Sequence, residues 1–162
     1  MKRYQLDLND YQTLVPAYQG ESDRSAIVLG GSFAEHYLAT YIRHFMIDDP
    51  EIERLFETGP LSTFNARINL AYAFRLISKE LRDDLRLVKD IRNHFAHSPQ
   101  LIDLEQPDIQ TMIRKLGIYA TLHAPSTPAN VQKSSRDIFL YSIGMFVVFA
   151  HNAIVQKKAL QT

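Results

Sequence analysis

The 162-residue chain contains no cysteine. That absence excludes disulfide staples, thiolate metal sites and cysteine nucleophiles, and it suits a reducing compartment. The chain also lacks a surplus of either charge, since 18 basic residues balance 18 acidic ones. A dedicated DNA-binding domain normally carries a basic excess, because phosphate contacts dominate its affinity. Direct DNA reading is therefore not expected. The opening residues Met1 to Asp7 hold no apolar run, so no secretory signal is expected and the predicted location is cytoplasmic. There is no internal repeat and no convincing alternation of apolar and polar residues, which leaves little room for strands.

What is present describes a globular protein. Hydrophobic residues make up 46% and charged residues 22%, the balance of an ordinary folded domain. The length suits one domain that can bury its core without staples. From Ile138 to Val155 no charged residue occurs, and this stretch approaches the ~20 residues needed to cross a bilayer. Ser142, Gly144, His151 and Asn152 interrupt it. We read it as the central buried helix of a bundle, and expect no membrane partner.

Residues 1–20 read as an N-terminal extension punctuated by Pro16 and Gly20. Residues 21–162 read as the folded domain, an all-α, single-domain bundle of about five to six helices. The first helix is predicted from about Ser22, as its cap, to Met46. Its small residues Ala26, Gly30 and Ala34 recur every four positions and would let another helix approach closely. Pro50 opens a short second helix to Glu57, and Ser62 is the expected cap of a third, which carries Phe64, Ile68, Ala71 and Ile77. A fourth runs from Lys79 to His97, where Pro99 ends it. Pro107 opens a fifth, to Leu116. Residues 124–130 form a loop, and the last helix runs from about Val131 to Ala159.

The fourth helix carries the chemistry. Its apolar seam, Leu81, Leu85, Val88, Arg92 and Phe95, has coiled-coil-like 4-3-4-3 spacing, and one member is an arginine. Arginine is rarely buried without a partner, so Arg92 must meet an acid, reach an edge or line a cleft or subunit interface. Arg82, Arg86, Lys89, Asn93 and His97 form a second stripe on one face. His97 sits in the last turn, where the carbonyl ends favour its protonated form. Such a set suits metal-free cleavage of RNA. The histidine moves the proton of the attacking 2′-hydroxyl, the arginine stabilises charge on the phosphorane, and the asparagine orients either. Arg92 and His97 stand five residues apart, about 140° around an ideal helix, so convergence would need two copies of the helix across a dimer axis. The competing reading is structural, with Arg92 bridging to Asp84 or to an acid on another helix and His97 capping carbonyls. His94 and His97 have the spacing of a metal pair, but no third ligand is evident, and neither metal nor cofactor is expected.

Arg92-Asn93-x-x-x-His97 at the end of a bundle helix resembles the Arg-x4–6-His signature of the HEPN superfamily. That resemblance implies a dimeric, metal-independent endoribonuclease with Arg92, Asn93 and His97 as catalytic residues, or a descendant that only binds RNA or a regulatory or antitoxin protein. A longer resemblance covers Glu21 to Ala26, Gly59 to Ile68 and Ile91 to Ser98, which are similar to the mannitol operon repressor family. It implies a bacterial, cytoplasmic, all-helical regulator without an obvious DNA-reading element. Arg24 and Arg67 fall within those segments and, with Arg82, Arg86 and Lys89, are candidates for contacting RNA or a partner. Three readings follow: a regulator acting through a protein or RNA partner, an endoribonuclease, and a non-catalytic helical interaction module.

Overall fold

Most helices in this chain begin where short polar side chains satisfy the free amides of a first turn. The computed structural model describes residues 18, 20–98, 102–122 and 133–159. Ser22 accepts from the Ser25 amide at 3.2 Å and opens α1, Asp23–Arg43. Asp49 caps α2, Pro50–Glu57, through the Glu51 amide, with Pro50 in the first turn. Thr63 caps α3, Phe64–Ala73. The expected cap, Ser62, lies one residue too early, and its carbonyl accepts from Arg67. Ser78 caps α4, Lys79–His97, with the bounds predicted. Then follow α5 (Pro107–Arg114), α6 (Gly117–Leu122) and α7 (Ser135–Ala159).

Among the described residues there are seven helices and no strand. The all-α class is as expected, and the count exceeds the predicted five to six. The added helix is α6, which starts at a glycine directly after the short turn that ends α5. Ile77, expected within α3, is buried just beyond it. The predicted 124–130 loop and most of the 1–20 extension lie outside the described residues. Tyr18 of that extension is buried, and its carbonyl accepts from Arg136.

Helix α1 is the centre of the bundle because two adjacent glycines face different neighbours. Gly30 faces the side-chain tips of Leu140, Ile143 and Phe139 on α7. Gly31 faces Arg92 on α4. The predicted small-residue stripe thus serves α7, with Ala26 and Ala34 fully buried on either side of Gly30. Contacts progress from Gly30–Leu140 to Tyr37–Phe146 and Tyr41–Phe149, so α1 and α7 run parallel. Contacts from Arg24–Ser98 to Glu35–Arg92 run the other way, so α1 and α4 are antiparallel. Helix α7, uncharged between Arg136-Asp137 and Lys157-Lys158, is the one described helix long and apolar enough to cross a membrane. Ten of its residues are buried in this bundle.

Two local devices yield predictions. After α3 the chain turns with Arg75 at φ 56°. The Leu76 amide bonds the Ala71 carbonyl at 2.8 Å and the Arg75 amide bonds Tyr72 at 3.0 Å. This is the Schellman pattern, whose left-handed residue is usually glycine. An L side chain there costs ~1–2 kcal/mol, partly offset by the greater chain entropy that glycine loses on folding. Arg75→Gly is expected to stabilise the fold by about 0.5–1 kcal/mol, read as a rise in Tm of about 2 °C.

Asp84, on α4, accepts from the Gly117 amide at 2.9 Å and so caps α6 from a distance. Burial holds its carboxyl above the usual carboxylate range, against the opposing pull of the Gly117 amide. A carboxyl whose folded pKa is raised favours the native state most below its unfolded pKa, and that stability is lost as pH rises through the folded value. Asp84→Asn keeps an acceptor for Gly117 without the charge. It should raise Tm at pH 7, and the gain should shrink as the pH falls below the usual carboxylate range. A variant less stable than wild type at pH 7 would contradict this account.

Candidate functional site

Gly31 and Glu35 stand four residues apart on α1 and therefore share a face. Gly31 admits the stem of Arg92: a β-carbon at Gly31 would lie 2.5 Å from Arg92 Cγ and 2.6 Å from its Cβ. Glu35 then receives the guanidinium, with Arg92 Nη2 donating to Glu35 Oε2. Of the alternatives open for Arg92, the structure selects an acid on another helix. Asp84 is occupied with Gly117 instead. The α4 core stripe passes through Leu85, Val88, Ile91 and Phe95, so the seam position assigned to Arg92 is filled by its neighbour Ile91.

Arg67 converges on the same carboxylate. Its Nε donates to the Leu61 carbonyl at 2.7 Å, and its terminal nitrogens reach the carbonyls of Phe56, Ser62 and Glu35 at 3.2–3.5 Å. The pair with Glu35 Oε1 is 3.5 Å. One arginine thereby pins the 58–63 connection onto α1. Burial pulls the Arg67 guanidinium below its ordinary value, Glu35 pushes it back and Arg43 lowers it further. Arg43 lies over the Phe56 ring at 3.9 Å and grips Glu53 with two hydrogen bonds. The result is a half-buried charge cluster in which Glu35 serves both Arg67 and Arg92. Arg92 Nε is buried without a hydrogen-bond partner among the described residues.

The other predicted residues lie elsewhere on α4. Arg82 pairs with Asp83 at 2.7 Å and covers the Tyr72 ring at 4.3 Å. Arg86 donates to Asn69 at 2.9 Å, and Lys89 pairs with Asp90 at 3.1 Å. The first half of the basic stripe is thus laid against α3 and matched by local acids. At the other end, Arg24 donates to the Ser98 carbonyl at 3.2 Å and closes the end of α4. Asn93 is half-buried and His97 is exposed. His94, beside them, faces Asp108 at 3.6 Å. The protomer therefore joins Arg92 to Arg67 through Glu35, while His97 stands at the solvent-facing end of α4 near Arg24. No group of three or more metal-ligating side chains occurs among the described residues.

Sequence reading missed Glu35 and Gly31. Their signal was present: apart from Asp23 at its start, Glu35 is the only acid in α1, and it sits one turn after a glycine pair.

A family model described as Mannitol repressor matches residues 46–160. The chain belongs to the mannitol repressor family. The match covers α2 to α7, including Arg67 and the whole of α4, whereas Gly31 and Glu35 precede it. Membership makes the protein regulatory and repressor-like in general kind, which fits a soluble protein. Comparison with curated proteins returns no match, and comparison with solved structures returns none either.

Proposed function

We propose that this mannitol repressor family member controls gene expression by binding a protein or RNA partner rather than by reading DNA directly. One observation carries the reading: the cations of the site are spent within the fold. Arg92 and Arg67 share Glu35, Arg82 and Lys89 pair with neighbouring acids, and Arg86 holds Asn69. Phosphate-driven binding, to RNA as to DNA, needs cations whose counterions can be released, so of the two partner classes the spent cations favour a protein. Locally neutralised side chains supply less of that term, whereas apolar side chains such as Ile47 and Phe74 stay exposed, as surfaces that meet proteins often leave them.

The same observation weighs against the endoribonuclease. A phosphorane needs arginine donors already aimed at its developing charge, and Arg92 spends Nη2 and its charge on Glu35. The test is affinity capture of the tagged protein from its host, followed by identification of bound protein and nucleic acid. A stoichiometric protein or a defined RNA is expected. Sequence-specific DNA binding by the purified protein alone would overturn the reading. So would metal-free cleavage of an RNA pool in EDTA that His97→Ala abolishes.

A further inference from the structure

Helix α7 has a second apolar seam that the bundle does not use. Tyr141, Met145, Val148, Asn152 and Val155 are all exposed and follow one another at 4-3-4-3 spacing, the interval that keeps one stripe facing a partner helix. Phe149 borders the seam. A soluble helix normally turns polar residues outward, yet here the seam has one amide and no charge. From Ile138 to Gln156 there is no Asp, Glu, Lys or Arg at all.

We propose that a second copy of this chain covers this face, with the two α7 helices packed antiparallel about a two-fold axis near Val148. Three features favour a second copy over other occupants. First, the face suits itself: the seam residues carry no charge, and Lys133 lies at the Tyr141 end, 5.8 Å from that ring, away from Val148, so a two-fold axis at Val148 sets no like charges against each other.

Second, the ends of the seam are complementary. Exposed Asp137 precedes it and exposed Lys158 follows it. Antiparallel packing brings Lys158 toward the partner's Asp137 and opposes the helix dipoles, whereas parallel packing would set Lys158 against itself.

Third, the area is sufficient. Tyr141, Met145, Val148, Phe149 and Val155 are 43, 59, 46, 40 and 51% exposed, roughly 450 Å² of apolar surface if large side chains offer ~150–250 Å² each. Phe149 continues into a cleft with Tyr72 and Leu76 at the α3–α4 turn, and Tyr72 and Phe74 add exposed ring surface there. The total approaches the ~800 Å² per partner of a standard interface. The inference is independent of the proposed regulatory role, since none of these residues belongs to the Glu35 cluster.

The absence of cysteine makes the test direct. The full-length protein is expected to sediment as a dimer. Val148→Cys, placed near the axis, should form an intermolecular disulfide on mild oxidation, and Tyr141→Cys should not. Val148→Asp is at an exposed position and should leave the protomer folded by circular dichroism. It sets two charges against each other at the axis, and should weaken association by at least ~100-fold. A wild type that stays monomeric at its highest soluble concentration overturns the proposal, whether or not it binds lipid vesicles. A Val148→Asp protein that still dimerises overturns the surface. Cross-linking through Tyr141→Cys as efficient as through Val148→Cys overturns the antiparallel arrangement.

Discussion

Gly31→Ala is expected to destabilise the protein by about 2 kcal/mol, lowering Tm by about 4–8 °C. The added methyl would stand 2.5–2.6 Å from Arg92 Cγ and Cβ. A rotamer change can move Cγ, but Cβ is fixed by the α4 backbone, so no side-chain rotation alone can make room. The two helices must separate or Arg92 must leave Glu35. Overpacking usually costs about 1–3 kcal/mol, and the ~1 kcal/mol that alanine returns in helix propensity offsets part of it. Gly30→Ala is the control. Its β-carbon would meet only the ends of Leu140, Ile143 and Phe139, at 3.1–3.4 Å, so it should lie within about 0.5 kcal/mol of wild type once propensity is included. Thermal unfolding of the pair decides the matter. Equal Tm values would show that the close approach of α1 to α4 is not set by Gly31.

The contrast between these glycines shows what a sequence can and cannot reveal. Repetition made Gly30 visible: Ala26, Gly30 and Ala34 recur every four residues and form the stripe that α7 packs against. Gly31 has no such companions, because its role depends on one side chain of a helix sixty residues later. Local signals were equally legible at the ends of helices. Ser22, Pro50 and Pro107 mark starts through backbone chemistry that acts within a few residues. The misplaced cap at Ser62 shows the limit of that chemistry, since Ser62 and Thr63 are alike as caps and the tertiary hold of Arg67 on the Ser62 carbonyl decides between them. For the site, the sequence showed that Arg92 needed a counter-charge but not where it would come from. Periodicity places a residue on a face of its own helix, and only packing tells which face of another helix it meets.

Removing that counter-charge should have a larger effect than Gly31→Ala. Glu35→Ala is expected to cost about 2–4 kcal/mol, toward the lower side of the range for breaking a buried ion pair because Glu35 keeps 23% of its side chain exposed. Its two arginines would not suffer equally. Arg67 retains the carbonyls of Leu61, Phe56 and Ser62. Arg92 loses its one acceptor among the described residues, where its Nε already lacks a partner. The cost therefore falls on Arg92, an uncompensated charge with 18% of its side chain exposed. Adding Arg92→Leu to Glu35→Ala should recover much of the loss, because an apolar side chain of similar bulk replaces the stranded charge. Arg67→Leu in the same background should not, since it also unpins the 58–63 connection. Chemical denaturation of the single and double variants measures these couplings. Should Glu35→Ala unfold within about 0.5 kcal/mol of wild type, the effect of an ordinary surface substitution, Arg92 is not held by Glu35. The guanidinium would then be free to meet a phosphate, and the endoribonuclease reading would regain the arginine that its chemistry requires.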